Sequence, residues 1–165
     1  MITENTKFII IGLGLIGGSY AKGLSNRGYE VYAIDTDRIT IEFAKSQGII
    51  TDGETDVEKA AEKGFFAKAD MAVFALYPTA MLEWLQKYQS HFKSGIIITD
   101  VSGVKTNIVE KAQTILREDL EFVGSHPMAG KESSGIMNSD DQIFNVANFI
   151  VTPTDKNTAA AVNQV

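Results

Sequence analysis

The sequence predicts an α/β fold with a doubly wound, mostly parallel sheet and helices on both of its faces. Three observations predict it: short apolar runs alternate with longer amphipathic stretches, a glycine-rich turn follows the first apolar run, and polar turns follow the later ones. A strand covered on both faces is apolar throughout, whereas its covering helices are apolar on one side only. Ligands of such sheets bind outside the carboxyl ends of the strands, so function is sought in these turns.

The composition is that of a globular domain and excludes several other classes of protein. The chain has 165 residues, a net charge of -6, 44% hydrophobic residues and no cysteine, which excludes a disulfide scaffold, a disordered chain and a cysteine-ligated zinc site. The acidic balance disfavours nucleic acid, and two histidines alone cannot form a His-rich metal site. Because no apolar run approaches roughly 20 residues and no secretory signal is recognisable, we expect one cytoplasmic domain with neither a metal nor a membrane partner.

The first half of the chain alternates strands and helices. The predicted elements are, in order, a strand at 7–11, a helix at 15–26, a strand at 30–35, a helix at 39–47 and a weaker helical stretch at 56–63. The strands are continuous apolar runs, and the helices repeat apolar residues at helical spacing. Gly28 and Gly48 follow the first two helices, where a glycine favours the end of a helix.

The second half continues the alternation and ends in a helix that runs to the last residues. The predicted elements are a strand at 70–76, a helix around 81–88, a strand at 95–100, a helix at 105–116, a strand at 121–125, a loop at 126–141, a strand at 148–153 and a helix starting near 155. Loops as long as 126–141 are usually functional. Because the last helix stops with the chain, we expect the sequence to be the first part of a longer protein.

A glycine-rich turn between the first strand and the first helix points to a dinucleotide. Gly12, Gly14 and Gly17 form the G-x-G-x-x-G pattern in the strand–turn–helix context that gives it meaning. Gly12 permits the tight turn, Gly14 lets a pyrophosphate approach the backbone, and Gly17 lets helix and sheet pack closely. The helix N-terminus, including Leu15 and Ile16, supplies N–H groups to the phosphates. The sequence therefore predicts a Rossmann-type, NAD(P)-binding domain over residues 1–165.

Asp35, at the end of the second strand, favours NAD over NADP. Its carboxylate can accept hydrogen bonds from the adenosine-ribose hydroxyls and would repel the extra phosphate of NADP. Arg38 could accommodate that phosphate, so NADP stays possible, although a solvated surface arginine is the simpler interpretation. The alternative without a ligand is that the glycines only build a turn and Asp35 caps a loop.

Two further strand ends carry candidate residues. Pro78 and Thr79 follow the third predicted strand, where they either approach the cofactor or simply end the strand and cap the next helix. Asp100, Ser102 and Lys105 follow the fourth and place a carboxylate, a hydroxyl and an ammonium beside the expected nicotinamide. We interpret Asp100 as cofactor-binding and Ser102 as functional rather than as a helix cap. Lys105 is interpreted as a solvated residue of the first helical turn.

His126 is the best candidate for acid–base chemistry. It follows the fifth predicted strand on the same sheet edge as the glycine-rich turn. An imidazole has an unperturbed pKa of about 6.5, so near neutral pH it can accept a hydroxyl proton as hydride leaves the same carbon. That is the chemistry of a dehydrogenase. A purely structural histidine is the alternative, and it is the interpretation we give to His91, which we expect in a solvated turn.

These motifs together resemble the prephenate dehydrogenase family and its arogenate-using members. The specific stretch is Ser125-His-Pro-Met-Ala-Gly130, followed by Glu132 and Ser134-Gly135 and preceded by the glycine motif, Thr99-Asp100 and Lys105. The resemblance covers essentially the whole chain as the nucleotide-binding half of the family. It implies that a C-terminal helical domain, which forms the homodimer and binds substrate, is absent from this chain.

The resemblance implies an NAD-dependent oxidative decarboxylation of prephenate to 4-hydroxyphenylpyruvate in tyrosine biosynthesis. By resemblance, His126 takes the proton of the ring hydroxyl, and Glu132, with Ser134, gates the substrate pocket. The family serine commonly stands in Asp-x-Gly-Ser-x-Lys, whereas Ser102 here precedes Gly103 and is thus shifted by one residue. We therefore expect the chain to bind NAD and to turn over prephenate little or not at all by itself.

Three other functions stay open on the sequence. The substrate could be arogenate, which differs from prephenate in a group that the missing half would contact. The chain could belong to another Rossmann dehydrogenase of small molecules, whose catalytic lysine or other polar residues would lie in that half. It could also be a module that senses NAD without catalysis, which would not need His126.

Overall fold

The structure is a computed structural model that describes residues 2–165 as one seven-stranded sheet covered by helices. The strands are β1 (Lys7–Ile11), β2 (Glu30–Ile34), β3 (Asp52–Glu54), β4 (Met71–Phe74), β5 (Ile97–Asp100), β6 (Glu121–Pro127) and β7 (Phe149–Thr152). The α-helices are α1 (Leu15–Ser25), α2 (Arg38–Ser46), α3 (Val57–Glu62), α4 (Phe65–Lys68), α5 (Pro78–Tyr88), α6 (Ile108–Ile115) and α7 (Ala159–Val162). None of these helices is long and apolar enough to cross a membrane.

The strand order confirms the predicted doubly wound sheet. It runs β3-β2-β1-β4-β5-β6-β7, and every pairing is parallel except that of β6 with the edge strand β7. The chain leaves β1 toward β2 on one side and later returns to β4 on the other. The carboxyl end of β1 is therefore the point where the winding reverses, which is where such sheets bind their ligands.

The central strand β1 shows why helices cover both faces. Its residues alternate between two buried clusters, with Ile9 and Ile11 in one and Phe8 and Ile10 in the other. The first cluster includes residues of α5 and α6, and the second includes residues of α1 and α2. Complete burial of a strand on both faces requires the continuous apolar run from which the fold was predicted.

Two short elements were not predicted, because their sequences lack a periodic apolar pattern. Strand β3 is only Asp-Gly-Glu, and Gly53 fits because a Cβ there would lie 2.8 Å from Ile50 and 3.0 Å from Ile41. Helix α4 begins after Gly64, whose φ of +74° is left-handed, and it buries Phe65 and Phe66. Both elements depend on packing against neighbours distant in sequence.

Three predicted boundaries were wrong. Helix α6 begins at Ile108 rather than at 105, because Asn107 has a left-handed φ of +62° and breaks the helix there. Helix α7 begins only at Ala159. Strand β6 continues through Pro127, beyond the predicted end at 125, because β7 pairs antiparallel with Gly124–Pro127. His126 therefore lies within a strand and not on a loop.

Candidate functional site

The glycine-rich turn after β1 leaves open space at one glycine and none at the two others. Gly12 has a φ of +95°, and a Cβ there would lie 2.8 Å from the Ala75 carbonyl oxygen. A Cβ at Gly17 would lie 1.9 Å from the Gly12 carbonyl oxygen, an impossible approach. A Cβ at Gly14 would have no neighbour within 4 Å. The fold therefore requires Gly12 and Gly17, whereas the bare backbone at Gly14 faces open space.

The N-terminus of α1 is arranged to receive a negative charge. Gly14 is the N-cap, no side chain caps the helix, and no acidic residue lies in its first turn. The first backbone bond returning to the N-cap is donated by Gly18 N–H to the Gly14 carbonyl, at 2.9 Å. Leu15 and Ile16 lie in the first turn, before that bond, where the N–H groups of a helix have no backbone acceptor. The positive end of the helix dipole thus points into the open space beside Gly14.

Asp35 connects the end of β2 to the glycine-rich turn. Its Oδ2 accepts a hydrogen bond from Leu13 N–H at 2.6 Å, and its Oδ1 accepts one from Asp37 N–H at 2.9 Å. The residue is half-buried, and each carboxylate oxygen keeps a second lone pair. The predicted partners Gly14 and Asp35 thus share one side of the sheet edge. Arg38, in contrast, leaves 84% of its side chain exposed and pairs with Glu42.

The turn after β4 packs against the glycine-rich turn. Ala75 N–H donates to the Ile11 carbonyl at 2.8 Å. Pro78 is the first residue of α5, and the N-cap is Tyr77, so the alternative in which Thr79 caps this helix is wrong. Thr79 is exposed and Pro78 half-buried at the sheet edge. Their contact with a cofactor stays a prediction.

A buried ion pair occupies the end of β5. Asp100 has no exposed surface, and Lys105 Nζ lies 2.5 Å and 2.6 Å from its two carboxylate oxygens, with 15% of the lysine side chain exposed. Burial lowers the pKa of Lys105 below its ordinary value, and Asp100 counteracts part of that shift. The prediction of a solvated Lys105 was therefore wrong. The Asp100 carboxylate was predicted to contact the cofactor. In the structure both of its oxygens bond to groups of the protein instead.

Ser102 bonds to Asp100, and no hydrogen bond joins it to His126 in the described residues. Its hydroxyl donates to Asp100 Oδ2, and its N–H donates to the same oxygen at 3.1 Å. It does not cap α6, whose N-cap is Asn107. The Ser102 oxygen keeps lone pairs that can accept a hydrogen bond from a ligand. A catalytic role for Ser102 stays a prediction.

His126 is held in one tautomer with its outer nitrogen available. Its Nδ1 lies 3.0 Å from the Val101 carbonyl oxygen. A carbonyl only accepts hydrogen bonds, so Nδ1 carries the proton and Nε2 of the neutral ring carries the lone pair. A Cβ at Gly103 would lie 3.3 Å from Nε2, so a side chain there would crowd that nitrogen, which has no hydrogen-bond partner among residues 2–165. This is the arrangement of a general base.

Residues 128–148, which we call the strap, follow His126 and dock onto α1. The strap contains most of the loop predicted at 126–141, and it has 3-10 turns at Ile136–Asn138 and Asp141–Phe144. Asp140 N–H donates to Ser19 Oγ at 2.9 Å, and Ser19 O–H donates to the Leu15 carbonyl at 2.7 Å. A Cβ at Gly18 would lie 3.0 Å from strap side chains. The strap and the N-terminal turn of α1 are therefore physically joined.

The two predicted gating residues lie on the exposed part of the strap. Glu132 and Ser134 are both exposed, and neither side chain has a hydrogen-bond partner among residues 2–165. Lys131 pairs with Asp140 at 2.6 Å, an ion pair within the strap. Gating by Glu132 and Ser134 stays a prediction.

We expect Ser19→Ala to destabilise the protein more than a matched loss of a helical hydroxyl. Ser19 is fully buried, and its removal leaves Asp140 N–H without an acceptor, which costs about 1–3 kcal/mol of unfolding free energy. Thr114 also donates to a carbonyl four residues back but is exposed, so Thr114→Ala is the control, with a change within about 0.5 kcal/mol. Urea unfolding of both variants measures the difference; equal losses would contradict the docking role of Ser19.

Sequence reasoning missed Ser19, Lys105 and the surroundings of His91. Spacing along the chain could not reveal the partner of Ser19, which is more than a hundred residues away. His91 is not solvated as predicted, because it stacks on Phe66 at 5.5 Å and lies 3.3 Å from Glu58.

Within residues 2–165, no three His, Asp or Glu side chains are grouped so that they could hold a metal ion.

The chain is similar to dehydrogenases of aromatic amino acid precursors. It is 36% identical over 149 residues to a prephenate dehydrogenase of Lactococcus lactis subsp. cremoris, covering 88% of this chain and 40% of that protein. Among solved structures, prephenate dehydrogenase of Aquifex aeolicus in complex with hydroxyphenyl propionate and NAD+ has a TM-score of 0.87 at 30% identity, covering 96% of this chain and 54% of that one. Arogenate dehydrogenase of Synechocystis has a TM-score of 0.86 at 28% identity, covering 96% and 54%.

The chain thus spans about half or less of the length of the curated relatives that it matches, and 40% of the Lactococcus lactis protein. Residues 20–165 match the family described as prephenate dehydrogenase, nucleotide-binding domain. That match begins after the glycine-rich turn, so the turn and the family match are independent observations that agree. The chain belongs to the prephenate dehydrogenase family, as its nucleotide-binding domain.

Proposed function

We propose that this chain is the nucleotide-binding part of an NAD-dependent prephenate dehydrogenase, which converts prephenate to 4-hydroxyphenylpyruvate with loss of CO2. One observation carries the proposal: His126, held as its Nδ1–H tautomer with no hydrogen bond from the described residues to Nε2, shares the carboxyl edge of the sheet with the open glycine-rich turn. A nucleotide-binding module without catalysis would not need this base. The family match supports the same reaction.

The residues present fit NAD+. The pyrophosphate would bind at the N–H groups of Leu15 and Ile16, over the open face of Gly14. The ribose hydroxyls would donate to the free lone pairs of Asp35, and Pro78 and Thr79 would border the cofactor from the turn after β4. The NAD+ bound to the Aquifex aeolicus relative supports this assignment.

The chain's own residues would handle the proton of the reaction. When bound, NAD+ supplies the hydride acceptor. His126 Nε2 would accept the proton of the ring hydroxyl as hydride leaves the same carbon, giving a carbonyl there. The ring carboxylate then leaves as CO2, its bonding electrons enter the ring, and the carbonyl oxygen regains a proton as the aromatic phenol forms. Ser102 Oγ would accept a hydrogen bond beside the reacting hydroxyl, and Glu132 and Ser134 would border the substrate from the strap.

Arogenate is the second candidate substrate, because the Synechocystis arogenate dehydrogenase has nearly the same structural similarity. We place prephenate first because the family and the Lactococcus lactis relative both bear its name. We also propose that the active protein is a homodimer whose contacts and further substrate-binding residues belong to the family's helical C-terminal domain.

Calorimetric titration with NAD+ and NADP+ tests the cofactor assignment on the chain itself. We expect NAD+ to bind at least about tenfold more tightly, because the Asp35 carboxylate repels the additional phosphate of NADP+. In Asp35→Asn the amide oxygen can still accept from Leu13 N–H while the charge is removed, so the preference should shrink. Asp37→Asn removes an equal charge two residues away and keeps the cap of α2, so its preference should match the unmodified chain.

A preference for NADP+ would contradict the role of Asp35. It would instead favour Arg38 as a phosphate ligand. Binding of neither nucleotide would contradict the proposed function.

A further inference from the structure

The turn between β5 and α6 is closed by a salt bridge whose carboxylate is completely buried. Asp100 ends the strand, Lys105 follows five residues later, and the four-residue turn 101–104 lies between them. Other ion pairs among residues 2–165 leave more of the carboxylate exposed; Glu54, paired with Lys63, keeps 19% of its side chain in contact with solvent. A buried pair of this kind gains little stability over apolar packing, because both charges lose their hydration. The position of the Asp100–Lys105 pair therefore says more about its role than its contribution to stability does.

The same carboxylate connects the turn to the strand that carries His126. Asp100 Oδ2 accepts from the N–H and the hydroxyl of Ser102, within the turn. Asp100 Oδ1 accepts from Ser125 N–H in β6 at 3.1 Å, and Ser125 Oγ donates to the Asp100 carbonyl at 2.7 Å. The Lys105 ammonium bridges both oxygens and so holds these contacts in a single arrangement.

The 101–104 turn determines the surroundings of both ring nitrogens of His126. The Val101 carbonyl accepts from Nδ1, and Gly103 lies beside Nε2. Displacement of the turn by even an ångström would break the first contact and change access to the second, because hydrogen bonds weaken steeply with distance and angle. Within residues 2–165, the Lys105 ammonium bonds to Asp100 and makes no hydrogen bond to either nitrogen.

We propose that Lys105 is a positioning residue: through Asp100 it holds the 101–104 turn so that the Val101 carbonyl keeps His126 in the Nδ1–H tautomer, with Nε2 free to accept a proton. The catalytic value of this arrangement rests on the proposed function. The arrangement itself is a property of the chain without ligands. A merely structural salt bridge would affect stability but not the tautomer.

Nitrogen NMR of the isotope-labelled histidine rings in the ligand-free chain tests the proposal. The ring nitrogen shifts, recorded where His126 is neutral, distinguish protonated from unprotonated nitrogens, and His91→Asn assigns the signals of the two histidines. We expect a single Nδ1–H form in the unmodified chain and a mixture of both tautomers in Lys105→Met. Lys105→Arg should restore the single form, because a guanidinium can pair with both carboxylate oxygens.

Two further variants separate positioning from general loss of stability. Lys93→Met removes the exposed pair with Asp70 at the opposite edge of the sheet and should leave the tautomer unchanged. If Lys105→Met does not fold, Asp100→Asn with Lys105→Met leaves no buried charge unpaired and should again give mixed tautomers. A single Nδ1–H form in the folded Lys105→Met or double variant would overturn the proposal. Because no nucleotide or substrate is present, failure here is distinct from failure of the proposed function.

Discussion

Gly14→Ala is expected to weaken NAD+ binding strongly while leaving the fold intact, and Gly17→Ala is expected to disrupt the fold. The Cβ at position 14 would stand in open space over the helix N-terminus, in the path of the pyrophosphate. The φ of Gly14 is -67°, which alanine adopts readily, so stability should change by only about 1 kcal/mol. Affinity for NAD+ should fall by at least about tenfold, measured by calorimetry.

The Cβ at position 17 would lie 1.9 Å from a backbone oxygen, which no side-chain movement can relieve. We expect Gly17→Ala to lose about 3 kcal/mol or more of unfolding free energy, a large part of the stability of a domain of this size. Thermal unfolding of both variants measures this difference. Normal NAD+ affinity in Gly14→Ala would show that the nucleotide does not approach the turn as described.

His126→Asn is expected to lower turnover of prephenate by about a hundredfold to ten-thousandfold, the usual contribution of a general base. The asparagine amide can still donate to the Val101 carbonyl but has no counterpart of Nε2. The reaction is measured in a hybrid enzyme in which this chain replaces the matched region of the Lactococcus lactis relative, because the chain spans 40% of that protein. NAD+ binding should be retained.

His91→Asn is the matched control, because it removes the other histidine, which stacks on Phe66 away from the sheet edge. Its turnover should equal that of the unmodified hybrid. If His126→Asn kept full activity, His126 would be a structural residue and the base would have to be sought elsewhere.

The sequence was sufficient to predict the sheet and the glycine-rich turn, because both depend on local patterns. A strand buried on both faces must be apolar there, as β1 is from Phe8 to Ile11, and Gly12 and Gly17 are required by contacts of the adjoining backbone. Asp35 could be predicted because it directly follows β2. His126 could be predicted as a candidate from its motif and its place at the sheet edge.

The burial of Lys105 and the tautomer of His126 could not be predicted, because the contacts that determine them are made only in the folded chain. Lys105 resembles a solvated lysine in the sequence, and only the folded structure shows that it pairs with the buried Asp100, which also accepts a hydrogen bond from Ser125 of β6. The tautomer of His126 depends on the Val101 carbonyl, a backbone group with no sequence signal. The antiparallel pairing of β7, which extends β6 through His126, likewise depends on a strand that follows the strap.

The most direct test of the account is conversion of prephenate by the hybrid enzyme that carries this chain. We expect reduction of NAD+ only when prephenate is added, with equal amounts of CO2 and 4-hydroxyphenylpyruvate formed. Calorimetric binding of NAD+ by the same preparation establishes that the hybrid is folded. A hybrid that binds NAD+ but does not reduce it in the presence of prephenate would contradict the proposed function.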